Sequence, residues 1–200
     1  MTGRFFLSGW AGPETLFPDF PSGWTFRAPF LDGDEETLVA ALARSGGTAL
    51  VGWSTGAHMI VKHAARLLPC FGRIVLFAPF ARFGDSLPGR ITRAMAAGMA
   101  ADAEGTTRAF WKNCGVPGDP AWNPDWAAPL AVGLAYLLAS EATGEPVPAG
   151  NVTVFHGNAD RIVRRPAVDK ALALLPGATF REFPGEHYPD PATLQAAISQ

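Results

Sequence analysis

A serine stands between two glycines in Gly52-Trp53-Ser54-Thr55-Gly56, directly after the apolar run Thr48-Ala49-Leu50-Val51 and directly before a stretch with helical spacing. This arrangement allows few folds. A serine flanked by glycines at i−2 and i+2, at the junction of a strand and a helix, belongs on a tight turn where a Cβ at either glycine would strike neighbouring backbone. The turn would hold the serine in a strained conformation with its hydroxyl lifted clear of the sheet. It would also aim the amide of Thr55, in the first turn of the helix, at the place where a carbonyl oxygen would become negative.

The flanking segments agree with such a turn. From Ala57 to Leu68, apolar residues at Met59, Ile60, Ala64, Leu67 and Leu68 give one buried helical face, and Pro69 ends it. Short β-like runs recur at Arg4 to Leu7, Thr25 to Ala28, Thr48 to Val51, Arg73 to Phe77, Val152 to Phe155 and Thr179 to Phe183. Helical patterns fall between most of them. Asp34-Glu35-Glu36-Thr37 reads as the acidic first turn of a helix that stops at Gly46-Gly47, and Pro166 to Leu175 reads as another. Strands alternating with helices predict an α/β fold, a mostly parallel central sheet flanked by helices with chemistry at the carboxyl ends of its strands.

Between Pro79 and Pro148 that rhythm breaks. No strand is expected there, whereas Ile91 to Ala101, Thr106 to Trp111 and Leu130 to Glu141 read as helices. The sequence thus predicts a single domain over residues 1–200, with a core at 1–80 and 148–200 and a helical lid at about 81–147. At 48% hydrophobic and 17% charged residues, a chain of this size buries a substantial core. Eighteen acidic against 16 basic residues, with no basic cluster longer than Arg164-Arg165, leave no electrostatic footprint for nucleic acid. Cys70 and Cys114 form neither a CxxC pair nor a zinc pattern, so a reducing, cytoplasmic setting is expected. Neither an export signal nor a membrane span is legible, and no membrane association is expected.

A serine nucleophile needs a base, and the base needs an acceptor that holds one tautomer. Of the four histidines, His58 and His63 lie on the helix after Ser54, and His156 ends a strand-like run and shapes the following loop. His187, in Pro184-Gly185-Glu186-His187-Tyr188-Pro189 after the last strand, sits where an imidazole can reach across to Ser54. Asp160, just past Val152 to Phe155, is the candidate orienting acid, with Asp169 and Asp190 as alternatives. The resulting order is Ser54, Asp160, His187. The second oxyanion donor is sought in Ser8-Gly9-Trp10-Ala11-Gly12, with the amide of Trp10 nominated beside that of Thr55. No metal or organic cofactor is required.

With those residues in place, the chain resembles the α/β-hydrolase superfamily. A closer likeness is to the pimeloyl-acyl-carrier-protein methyl ester esterases of biotin synthesis, through Gly9-Trp10, Gly52-Trp53-Ser54, Leu76-Phe77-Ala78-Pro79-Phe80, Gly133-Leu134, and the His156-Gly157 to Asp160 and His187 loops. Ser8 departs from the histidine that many relatives carry before Gly-Trp. The resemblance implies an ester hydrolase acting through an acyl-enzyme on a small-to-medium acyl group, with an acyl carrier protein as partner. It would place Arg82, Arg90, Arg93 and Arg108 against an acidic carrier. Trp53, Phe80, Arg82, Phe110 and Trp111 are the substrate-contact candidates, in a helical segment also rich in Met95, Met99, Trp122 and Trp126. A thioesterase, an acyltransferase, and a non-catalytic binding protein on the same fold are the competing readings.

Overall fold

The computed structural model describes residues 3–199. Met1, Thr2 and Gln200, which the expected domain bounds include, lie outside the described residues. Six strands, β1 (Arg4–Leu7), β2 (Thr25–Arg27), β3 (Gly47–Trp53), β4 (Phe71–Phe77), β5 (Val152–Gly157) and β6 (Thr179–Phe183), form one sheet in the order β2-β1-β3-β4-β5-β6. Every pairing is parallel. The central strands are buried on both faces, which is why Leu50-Val51 and Ile74-Val75-Leu76 read as unbroken apolar runs rather than alternating ones. The edge strand β6 remains largely open to solvent.

Helix α1 (Glu35–Ser45) begins where the Asp34 side chain accepts from the Thr37 amide and ends at Gly46, whose φ of 52° suits glycine. The helix expected over residues 57–68 starts earlier and is divided. Helix α2 (Thr55–Lys62) stops at His63, whose ring turns to Glu35 of α1, and α3 (Ala64–Leu67) follows. Between β4 and β5 lie α4 (Gly89–Ala101), α5 (Ala103–Cys114) and α6 (Ala127–Ala139), which pack on one another. No strand interrupts them, although Arg82 and Glu141 form an isolated bridge that closes the base of this segment. Helix α7 (Arg165–Ala173) joins β5 to β6, and α8 (Pro191–Ser199) ends the described chain.

Two observations position the site. The β3–β4 pairing continues through the turn after β3, where the Ser54 amide donates to the Phe77 carbonyl at 2.9 Å. The loop after β5 is tied to the loop after β6 by the Ala159 amide donating to the Gly185 carbonyl at 2.9 Å. The end of β3 is thereby tied to the end of β4, and the loop after β5 to the loop after β6. Among the described residues no helix is long and apolar enough to cross a membrane.

Candidate active site

Ser54 sits at φ 54° and ψ −113°, a conformation that a non-glycine residue adopts only under constraint. The constraint comes from close packing on either side of the turn. A Cβ on Gly56 would lie 2.2 Å from the Leu7 carbonyl oxygen, and one on Gly52 would lie 2.6 Å from Ile60 Cδ1 and 2.9 Å from Ala57 Cα. Both glycines are therefore required by contact and not by flexibility.

From this turn the Ser54 hydroxyl faces His187 Nε2 at 2.9 Å, and His187 Nδ1 faces Asp160 Oδ2 at 2.8 Å. The carboxylate can only accept, so Nδ1 carries the proton and the Nε2 lone pair is left for the serine hydroxyl. The side chains of Asp160 and His187 are both fully buried. The other carboxylate oxygen of Asp160 accepts from the amides of Ile162 at 2.8 Å and Val163 at 2.9 Å, fixing the acid to its own loop. His156 Nε2 donates to the Val163 carbonyl at 2.8 Å, closing that loop from the far side. The alternatives are engaged elsewhere. Asp169 pairs with Arg165 on α7, Asp190 caps α8 through the amides of Ala192 and Thr193, and His58 bonds to the Phe80 carbonyl and the Ser140 hydroxyl.

The loop after β1 passes against the nucleophile, so that a Cβ on Gly9 would lie 3.1 Å from Ser54 Cβ. Thr55, as the first residue of α2, has no intrahelical acceptor for its amide. Among the described residues, the Trp10 amide forms no hydrogen bond either. Among the described residues these two backbone donors, one directly after the serine in the chain and one directly after Gly9, are thus left without protein acceptors.

Three buried tryptophans hold these loops through their indole N–H groups, each of which must find an acceptor once buried. Trp10 donates to the Leu130 carbonyl of α6 at 2.8 Å, Trp53 to the His187 carbonyl at 2.9 Å, and Trp111 to the Ala11 carbonyl at 2.6 Å. Ala11 is itself at a positive φ of 54°, so the Trp111 bond clamps a strained residue of the Trp10 loop.

A cavity of about 620 Å³ opens between α4, α5 and the segment that follows Asp160; none of the three triad residues lines it. Phe110 and Ile162 form part of its wall. Phe110 packs edge-on to Trp10 with ring centroids 4.8 Å apart, and the Ile162 amide is held by Asp160. Of the five residues expected to contact substrate, Phe110 alone lines this cavity. The other four do not line it. Trp53 and Trp111 are interior struts, Phe80 is fully buried and stacks on His58 at 4.7 Å, and Arg82 lies off the cavity wall. Arg161 and Arg164, which do line the cavity, were not singled out in the sequence. Their signal was their place in Asp160-Arg161-Ile162-Val163-Arg164, immediately after the acid.

Beyond the triad, a second polar cluster joins the helices. Glu35 accepts from Lys62 at 2.9 Å, from His63 at 3.1 Å and from the Tyr136 hydroxyl at 2.6 Å. Lys62 also donates to the Ser140 hydroxyl at 3.1 Å. Burial pulls the Glu35 carboxyl upward, but the three donors outweigh it and hold the group at about 2. Burial depresses His58 to about 4, so its neutral ring donates from Nδ1 to Phe80 and accepts at Nε2 from Ser140.

The Alpha/beta hydrolase family model matches residues 4–194. Comparison with curated proteins gives no match. Among solved structures, an esterase from a Rhodococcus species is similar at TM-score 0.60 and 20% identity, covering 99% of this chain and 89% of its own. The enol-lactonase of Burkholderia xenovorans is similar at TM-score 0.66 and 13% identity, covering 100% and 93%. A thioesterase of the prodiginine pathway from Streptomyces coelicolor is similar at TM-score 0.67 and 16% identity, covering 98% and 84%. At these identities the likeness is one of fold.

Proposed function

Because the chain belongs to the alpha/beta hydrolase family, we propose that it is a serine hydrolase that cleaves a carboxylic ester through an acyl-enzyme. The observation that carries this reading is the continuous hydrogen-bonded line from Ser54 Oγ through the His187 ring to Asp160, 2.9 Å and 2.8 Å long at its two links.

The steps follow from that line. Ser54 Oγ attacks the ester carbonyl while its proton passes to His187 Nε2, and the negative carbonyl oxygen settles between the amides of Trp10 and Thr55. The imidazolium so formed stays aligned by donating from Nδ1 to Asp160. Its Nε2 proton then passes to the leaving alkoxide, releasing alcohol and leaving an acyl-serine. Water, deprotonated by the same nitrogen, repeats the sequence to free the acid. In this scheme α4, α5 and α6 form a cap, and the cavity beside Phe110 and Ile162 receives the acyl group.

With a p-nitrophenyl ester, the enzyme should give a burst of p-nitrophenol equivalent to the enzyme present, and Ser54→Ala should give none. Unchanged turnover in that variant contradicts the scheme.

A narrower reading is the pimeloyl-acyl-carrier-protein methyl ester, supported by the Gly9-Trp10, Gly52-Trp53-Ser54 and Gly133-Leu134 resemblances. An acidic carrier would meet Arg82, Arg90 and Arg93, which form no ion pair among the described residues, whereas Arg108 is already engaged by Glu104 and Asp119. The same triad can open a thioester. Parallel rates on methyl ester and thioester of one acyl-carrier-bound chain decide between the two bonds. The free thiols of Cys70 and Cys114 support a cytoplasmic setting.

A further inference from the structure

Arg161 and Arg164, in the segment that directly follows Asp160, stand on the wall of the cavity between α4 and α5, both exposed and neither in an ion pair among the described residues. The rest of that wall is mainly apolar, with Leu87, Ile91, Met95 and Phe110 facing the same space. The one acid on the wall, Asp102, is engaged as the N-cap of α5, where it accepts from the Gly105 amide at 2.9 Å. Among the described residues, two guanidinium groups without ion-pair partners thus share a mainly apolar wall with one occupied carboxylate.

The segment that carries the arginines is rigid. Asp160 holds the amides of Ile162 and Val163, His156 holds the Val163 carbonyl, and the Arg164 amide donates to the Ser86 hydroxyl at 3.3 Å. The guanidinium groups thus hang from a fixed backbone that also fixes the catalytic acid. Arg165, the next residue in the chain, is by contrast engaged by Asp169 and Glu182. Planar, always charged and rich in donors, an arginine pair suits a carboxylate better than any neutral group.

We propose that this cavity selects esters whose acyl chain carries a carboxylate at the end remote from the scissile bond, with the chain on the apolar wall and the carboxylate on Arg161 and Arg164. The proposal rests on the hydrolase reading for its chemistry, but the anion site itself can be tested without turnover.

Two arms separate them. In the first, p-nitrophenyl hydrogen suberate and p-nitrophenyl octanoate, matched in chain length, are compared at low ionic strength. The ratio of kcat/KM should favour the anionic ester by about tenfold, fall toward one in the Arg161→Gln/Arg164→Gln double variant, and shrink with added salt. A ratio near one in the wild type, or a ratio unchanged in the double variant, overturns the proposal while leaving the hydrolase reading intact. In the second arm, the Ser54→Ala protein is titrated calorimetrically with monomethyl suberate and with dimethyl suberate. Tighter binding of the monoanion, lost when both arginines are also replaced, supports the site even if no ester is turned over. Equal binding of the two probes overturns it.

Discussion

At the scale of single residues, the site depends on close approaches that leave no room for a methyl group. Gly56 lies in a helix, where alanine would gain about 1 kcal/mol in propensity. A Cβ there would nevertheless fall 2.2 Å from one backbone oxygen and 2.5 Å from another, and neither can swing aside as a side-chain tip can. Overpacking of this kind costs about 1–3 kcal/mol or more, so the steric term should win. Gly56→Ala is expected to lower stability by about 2 kcal/mol in denaturant unfolding and to displace Ser54. Gly150→Ala, with nothing within 4 Å of the added carbon, should stay within about 0.5 kcal/mol of the wild type. Equal stability of the two variants would contradict the packing argument. Gly52, Ser54 and Gly56 were legible because the geometry they serve is local. The roles of Trp53 and Trp111 were not, since an indole that reaches a carbonyl 134 or 100 residues away leaves no mark on its neighbours in sequence.

At the scale of elements, the chain's periodicities map onto all six strands to within two residues at either end, with β3 and β5 each running two residues beyond the expected run. Helix α8 is hard to read from the sequence because its apolar pattern is short, although Asp190 before Pro191 is a helix start signal. Also unread was the Glu35 cluster, which joins α1, α2 and the residues around α6. Its members are spread from Glu35 to Ser140, and each alone reads as an ordinary surface polar residue. Tyr136 is pushed well above its usual range, first by burial and then by donating to Glu35, so its hydroxyl is a committed donor. Tyr136→Phe should remove one bond to a charged acceptor and cost about 1.5–3 kcal/mol of stability. Differential hydrogen exchange should show faster opening of α6 in that variant, with the amides of β3 and β4 unaffected. Exchange unchanged throughout α6 would show that the cluster does not anchor it.

For the whole molecule, acid sensitivity follows from the same cluster. His58 is neutral in the folded chain down to about pH 4 but takes a proton near 6.5 when unfolded, so unfolding absorbs a proton between those values. Stability should therefore be full above about pH 6.5 and fall as the pH drops toward 4, with His58 accounting for about 3 kcal/mol of the loss. Glu35 acts in the same direction at lower pH, since its carboxylate is favoured by folding and that contribution fades as the pH falls from 4.5 toward 2. A His58→Asn variant, which keeps a neutral polar side chain, should flatten the decline between pH 6.5 and 4. An unaltered slope would mean that other groups carry it.

The central claim is that Ser54, His187 and Asp160 form one working relay. Reaction with a fluorophosphonate followed by intact-mass and peptide analysis tests it most directly, because only an activated serine hydroxyl displaces fluoride rapidly. The relay predicts a single adduct on Ser54, absent from Ser54→Ala and strongly slowed in His187→Ala. An unlabelled wild type, or labelling that persists in the Ser54→Ala protein, would contradict it.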